Sequence, residues 1–410
     1  MSLLSRRATV QVFLAFAAAY FLSALLRAIT ATLSPVLTDE FSLQARDLGL
    51  LSGGYFLGFA LTQLPLGSWL DRYGPKRIIL GFLCVAVLGC LAFAAAGSFS
   101  DLLAARVLCG VGVSACLMAP LTGYRSWFAP AAQMRANSWM LMSGSLGMIA
   151  ATLPVQWLVP MFGWRALFLL LAMLLVLAML LIGWRAPRWE SSQPSVAASG
   201  QASGYREVWR NPYFRAMAPV GFFCYGGLVA IQTLWALPWV ATMANYNTLE
   251  SATALFWINV CMLCTFWSFG MASQWLARNG YDASWLVARC LPVSFVLLAL
   301  VIVTPERWPQ ASGSLLALYC VACAVVTPSQ PAIGMAFAPQ LAGRALSAYN
   351  LVIFAGVFVI QWGIGLSIDG LTALGLARTQ AFQGAFSLYL GCCVASYMYF
   401  LWANRHNRRR

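Results

Sequence analysis

Gly67-Ser68-Trp69-Leu70-Asp71-Arg72-Tyr73-Gly74-Pro75-Lys76-Arg77 closes one long apolar run and opens the next. An acid and a base stand side by side at a helix end, Gly-Pro makes a tight turn, and two more cations follow. Much later, Ser273-Gln274-Trp275-Leu276-Ala277-Arg278-Asn279-Gly280 closes another apolar run in the same manner. A shift of 206 residues, Trp69 onto Trp275, also brings Leu, Arg and Gly into coincidence. One block of helices is therefore used twice.

The composition says what kind of helices these are. The chain has 410 residues, 61% hydrophobic and 9% charged, with a mean hydropathy of +0.77. Soluble domains run at roughly 45–50% apolar and about 25% charged, so a soluble enzyme with a membrane tether is excluded. The apolar material forms continuous runs, unlike the alternating strands of a β-barrel. Runs of spanning length cover 10–37, 48–70, 78–98, 102–124, 137–160, 165–184, 216–240, 251–277, 285–304, 313–336, 346–368 and 381–402. At about 20 residues per crossing, twelve transmembrane helices are expected. The first run follows Arg6 and Arg7 and is too long for a signal-peptide core, so it reads as a retained helix. Segment 185–215 is the long polar interruption: Trp189 to Pro194 have linker composition, and Tyr205 to Arg210 suit a short amphipathic helix at the membrane surface. The expected architecture is an all-α membrane protein of two pseudo-symmetric six-helix bundles, 1–184 and 216–410, joined by the 185–215 linker. Parallel six-helix repeats of this kind build transporters, with the substrate near the midplane.

The net charge of +14 comes from 24 Arg and one Lys against 11 acids. These cations sit in short segments between apolar runs, which the positive-inside rule explains without nucleic acid. Cytoplasmic termini place nineteen cations on that side and leave five, Arg46, Arg106, Arg165, Arg307 and Arg378, on the other. Most of the twelve Cys lie inside apolar runs, where Cys packs as a small hydrophobe. The pairs Cys261–Cys264 and Cys320–Cys323 have no nearby His, the only one being His406. Neither metal nor cofactor is expected.

With these features assembled, the chain resembles the major facilitator superfamily. Gly67 to Arg77 matches that family's loop motif between the second and third helices, and Arg106-Val-Leu-Cys-Gly110-Val-Gly112 resembles its fourth-helix motif, with Cys109 where Gln is usual. The resemblance implies the fold and a conformational latch built from Gly67, Asp71, Arg72, Gly74 and Arg77, with Arg278 in the C-terminal echo. Asp71 at a helix end can pair with Arg cations and accept from helix N-terminal amides. In the echo Ala277 replaces the acid, so a weaker second latch is expected.

Charges within spans are costly, so Arg27 stands out. It lies roughly ten residues, about 15 Å, from the outer end of the first span, where Arg costs about 2.5–3.5 kcal/mol on insertion scales. It either snorkels to the interface or meets an anion in the central cavity. Arg27, Pro35, Asp47-Leu48-Gly49, Gln63, Gly67 and Asp71 are similar to the organophosphate and organic-anion antiporter branch, which implies anion binding by Arg27. That branch has Lys where Gln63 stands and a second Arg in the seventh helix, which here reads Gly226 to Trp235 without one. One cation suits a carboxylate or zwitterion better than a dianionic phosphate. The eleven acids fall in loops or near helix ends, which disfavours efflux of cationic drugs by a buried carboxylate, and Gly144 to Gly147 with Pro154 only partly match the helix-5 motif of those antiporters.

Further ligand candidates are Tyr55, Gln63, Gln232, Trp235, Asn259, Asn350 and Gln361, each of which could equally bind helices together. Gln232, Trp235 and Trp239 are expected on one helical face, which reads either as an aromatic belt at the outer interface, most strongly for Trp239, or as a cavity wall with Gln232 as a hydrogen-bonding ligand. Arg106 and Arg125 read as structural, and Pro154, Pro328 and Pro331 as kinks or breaks. The expectation is a monomeric secondary transporter in a bacterial cytoplasmic membrane, taking up a small organic anion by alternating access, with a proton carried on the substrate, Asp47 or Asp101. Alternatives are an exporter of a metabolite, siderophore or drug on the same fold, and a non-transporting membrane receptor. An intramembrane enzyme would need a nucleophile or carboxylate cluster at depth, which the sequence lacks.

Overall fold

The computed structural model describes residues 4–187 and 201–407, all helix and connection, with no strand among them. The linker from Trp189 to Pro194 and the tail Arg408 to Arg410 lie outside the described residues. Two compact units emerge: Met1–Ile29 with Gly54–Ser199, and Thr30–Gly53 with Gly200–Arg410.

Ten helical stretches among the described residues are long and apolar enough to cross a membrane, where twelve crossings are expected. The two others are present as helices but fall short for physical reasons. The second run is divided into α2 (Ala45–Leu61) and α3 (Gln63–Tyr73), because Pro65 has no N–H for the Leu61 carbonyl. The fifth run begins as α7 (Pro130–Ala150), whose Gln133, Arg135, Asn137 and three Ser dilute its apolar character. It resumes in α8 (Leu153–Arg185), which breaks at Gly163, φ +78°, where the sixth run starts.

The first unit also holds the start of α1 (Arg6–Phe41), α4 (Pro75–Ala95), α5 (Phe99–Val113) and α6 (Ala115–Trp127). α4 packs on α5 and α8, and the approach is close because Gly112 faces the Ala86 backbone, where a methyl would collide. Phe93 stacks on Phe168 with ring centroids 4.0 Å apart. Large apolar side chains such as Leu88, Trp157, Met161 and Leu180 are exposed. An all-helical body with an apolar exterior satisfies its backbone internally and suits lipid.

The second unit contains α9 (Gln201–Arg210), a seventh span assembled from α10 (Pro212–Val220), α11 (Gly226–Ala230) and α12 (Ala236–Met243), then α13 (Thr248–Arg278), α14 (Ala283–Arg289), α15 (Leu291–Val303), α16 (Ser312–Cys323), α17 (Ser329–Met335), α18 (Pro339–Ala373) and α19 (Arg378–Asn407). Widened π turns at Gly221–Tyr225 and Ile231–Trp235 join the pieces of the seventh span. The expected breaks occur at proline: α8 begins beside Pro154, and α17 begins after Pro328 with Pro331 in its first turn.

Candidate functional site

In the first unit, polar groups gather where α1 meets α2, α5 and α6. Arg27 is fourteen residues from the Phe41 end of α1, roughly 21 Å along the axis. Its guanidinium carbon stands 5.8 Å from the centre of the Phe59 ring and lies beside the hydroxyls of Tyr20 and Tyr55. Tyr55 is fully buried and donates to the Ser23 carbonyl at 3.1 Å. Gln63, also buried, donates to Phe59 O one turn back at 3.2 Å. Tyr20 and Phe59 escaped the sequence reading, although Tyr20 lies two turns before Arg27 and Phe59 one turn after Tyr55, the spacings that share a face.

Behind this group stands Arg106. It was counted among loop cations above, but it is 0% exposed, so it contributes nothing to the orientation count. Its Nη1 donates to the Leu26 carbonyl at 2.8 Å, and its guanidinium covers Tyr55 at 4.9 Å from the ring centre. Its Nε and Nη2 have no hydrogen-bond partner among the described residues. Gly110 faces the Tyr55 backbone so closely that a methyl would collide with its carbonyl. The Arg106–Gly110–Gly112 motif thus sets the spacing of α5 against α2 and α4.

The loop motif occupies the far end of the same unit. Gly74 has φ +79° and its N–H closes α3 on Leu70 O at 3.0 Å; Pro75 then starts α4. Asp71 is exposed at the end of α3. Partial burial of the carboxyl raises its pKa from the ordinary value, and the charge of Arg125 on α6 works the other way. Arg72 covers Tyr73 at 5.2 Å, Gly67 is half-buried in α3 and Arg77 is exposed at the start of α4. Lys76 donates to the Ala186 carbonyl at 2.8 Å, a cation closing the C-terminus of α8. In the second unit, Gly280 repeats the turn with φ +73°, and Arg278 is exposed at the end of α13.

The second unit's candidates form neutral hydrogen-bonded pairs. Gln232 Nε2 donates to Asn259 Oδ1 at 2.9 Å, and Asn259 Nδ2 to Leu255 O at 2.9 Å. Gln361 Nε2 donates to Thr233 Oγ1 at 2.9 Å, while Trp235 Nε1 donates to the Gln361 carbonyl at 3.1 Å. Gln330 Nε2 donates to Asn350 Oδ1, linking α17 to α18. The single-face expectation for the seventh span therefore fails: Gln232 turns to α13, whereas Trp235 turns to α18 and Phe382 of α19. The Ile231–Trp235 π turn accounts for this, since its i→i+5 bonding rotates following residues away from α-helical spacing. Trp239 is buried against Phe386, centroids 4.2 Å apart, and lies in no interfacial belt.

One polar contact within this unit had no sequence signal. Asp369 of α18 accepts from the amides of Ala45, at 3.2 Å, and Arg46, at 2.8 Å, at the start of α2. Gly49 and Gly365 permit this approach, facing the Gln361 and Ala45 backbones where methyls would collide.

A family model described as Major Facilitator Superfamily matches residues 16–361. The 4-hydroxybenzoate transporter PcaK of Pseudomonas aeruginosa is 27% identical over 251 residues, 59% of this chain and 53% of that protein. The rice protein named probable anion transporter 1, chloroplastic, is 23% identical over 354 residues, 78% of this chain and 64% of its own length. The chain thus spans between about half and two thirds of these curated relatives. A bacterial homologue of the human lysosomal transporter Spinster, solved inward-facing and unoccupied, superposes with a TM-score of 0.78 at 18% identity over 98% of both chains. That likeness speaks for the fold. Since the family model covers most of the sequence, and the repeated turn, loop motif and helical architecture agree with it, the chain belongs to the Major Facilitator Superfamily.

Proposed function

We propose that this transporter, which is not an enzyme, carries a small organic monoanion across the bacterial cytoplasmic membrane in the direction of uptake. The observation that carries this reading is Arg27: a cation far from both ends of α1, half-buried and surrounded by Tyr20, Tyr55 and Phe59. A guanidinium binds a carboxylate through paired charge-assisted hydrogen bonds. Aromatic faces beside it suit an aromatic or compact apolar acid body better than a hydrated phosphate ester. The similarity to a protein named for 4-hydroxybenzoate transport supports the same class. Uptake of the anion is coupled to entry of a proton, and the carrier works as a monomer.

In this reading Asp71 and Arg125 hold one end of the first unit, and Asp369 on the α2 amides holds one end of the second. A carboxylate at a helix N-terminus, as Asp369 is at the start of α2, gives modest stabilisation, about 0.3–1 kcal/mol, which suits a reversible contact; Asp71 lies in the last turn of α3 and acts through the charge of Arg125.

The test is uptake of radiolabelled 4-hydroxybenzoate, benzoate and aliphatic monocarboxylates into proteoliposomes containing the full chain. Arg27→Ala is expected to raise the apparent KM about 100-fold, as truncating one partner of a buried charge pair does, and Arg27→Lys to recover part of it. Unchanged KM in both variants sinks the assignment. Efflux without uptake in cells would replace import with export while leaving the cargo class intact.

A further inference from the structure

On the second unit, α14 and α19 enclose an open hollow of about 440 Å³ that no transport role uses, lined by Ser284, Trp285, Arg289, Tyr397, Asn404 and Arg405. Its origin is in the sequence. Pro292 has no N–H to offer the Ala288 carbonyl, so the helix breaks between α14 and α15 at Cys290. The Tyr397 hydroxyl of α19 supplies the missing donor, reaching Ala288 O at 2.7 Å. The break turns Arg289 toward Tyr397, and Arg405, two turns after Tyr397 on α19, faces the same hollow.

Two guanidinium groups beside one hollow repel each other unless an anion lies between them. Among the described residues, neither Arg289 nor Arg405 makes an ion pair or hydrogen bond. Asp282, the acid closest to Arg289 in sequence, is already engaged, accepting from the Trp285 amide at 2.7 Å as the cap of α14. Depth identifies the anion. Arg289 is six residues into the apolar stretch Ala283–Val303, about 9 Å from its end, and Arg405 is the last residue of the stretch Arg378–Arg405. That is headgroup level. Trp285, 37% exposed, has the amphipathic ring favoured at that level, and Leu401 extends the apolar side of the hollow.

We infer that this hollow is a headgroup site for an anionic phospholipid, whose phosphate bridges Arg289 and Arg405 while Asn404 offers hydrogen bonds to the glycerol or headgroup hydroxyls. Basic pockets between membrane helices take such headgroups. The site is independent of the cargo assignment, and it ties the end of α14 to the end of α19 through a lipid.

Native mass spectrometry of the full chain, released from detergent after incubation with phosphatidylglycerol or phosphatidylcholine at equal molar excess, tests this. The wild type should retain one phosphatidylglycerol that Arg289→Gln and Arg405→Gln each weaken about fivefold, and the double variant about 25-fold, at roughly 1 kcal/mol per Arg near an anionic surface. Arg289→Lys should keep most of the retention, and Arg215→Gln, an exposed cation outside the hollow, all of it. The single variants answer the question if the double variant does not fold. Equal retention by wild type and Gln variants overturns the proposal, as does equal retention of phosphatidylcholine. Displacement of the lipid by equimolar inorganic phosphate would mark a free-anion site and also overturn it.

Discussion

The two units solve the same problem, polar groups inside a lipid-soluble body, with different chemistry. In the first, two guanidiniums share Tyr55, with Arg106 over its ring and Arg27 beside its hydroxyl. In the second, amides and hydroxyls close on one another: Gln232 with Asn259, Gln361 with Thr233, Tyr319 with Tyr389 at 2.8 Å. Neutral pairs of this kind hold helices together, although Gln361 Oε1 is left without a hydrogen-bond partner among the described residues. A cation at depth is a larger liability, and such residues mark substrate or ion pathways. On the proposed function, this contrast assigns recognition to the first unit and cohesion to the second.

The sharpest way to break this contrast is to disturb each cluster separately. Gly110→Leu should cost the most, about 3 kcal/mol or more, because the side chain must enter the Tyr55 backbone; thermal unfolding in detergent should show a large drop in midpoint. Next comes Arg27→Ala, with its expected 100-fold rise in KM and little change in unfolding temperature. Gln232→Leu should do the reverse, losing about 1 kcal/mol of stability with KM within about threefold. A large rise in KM from Gln232→Leu would move recognition into the second unit and end the contrast. Trp235→Phe should lose about 1 kcal/mol or less, the bond to Gln361 O. Smallest is Asp369→Asn, about 0.5 kcal/mol from the charge at the start of α2, read as faster exchange of the Ala45 and Arg46 amides with deuterium.

Much of the fold was legible because hydrocarbon permits so little. Continuous apolar runs must be helices, and the repeated Trp-Leu-x-Arg-x-Gly gave the duplication that Gly74 and Gly280 carry in matching left-handed turns. Proline positions located the breaks beside Pro154 and Pro328. The sequence reading failed where the answer depended on a partner distant in the chain. Arg106 looks like a loop cation until Leu26 and Tyr55 are seen around it. Asp369 looks like a loop acid until the α2 amides meet it. The π turn at Ile231–Trp235 has no compositional signature, yet it decides which way Gln232 and Trp235 face. Arg27 was found because an isolated charge in an apolar run is visible without any partner; Tyr20 and Phe59, ordinary aromatic residues in a helix, were not.

Arg106 has a consequence beyond packing. Its charge is sealed from water, with Nε and Nη2 lacking acceptors among the described residues, so its field is poorly screened and extends through the aromatic residues around it. Such a permanent positive potential acts as a sign filter: it draws in negative solutes and turns away hydronium and other small cations.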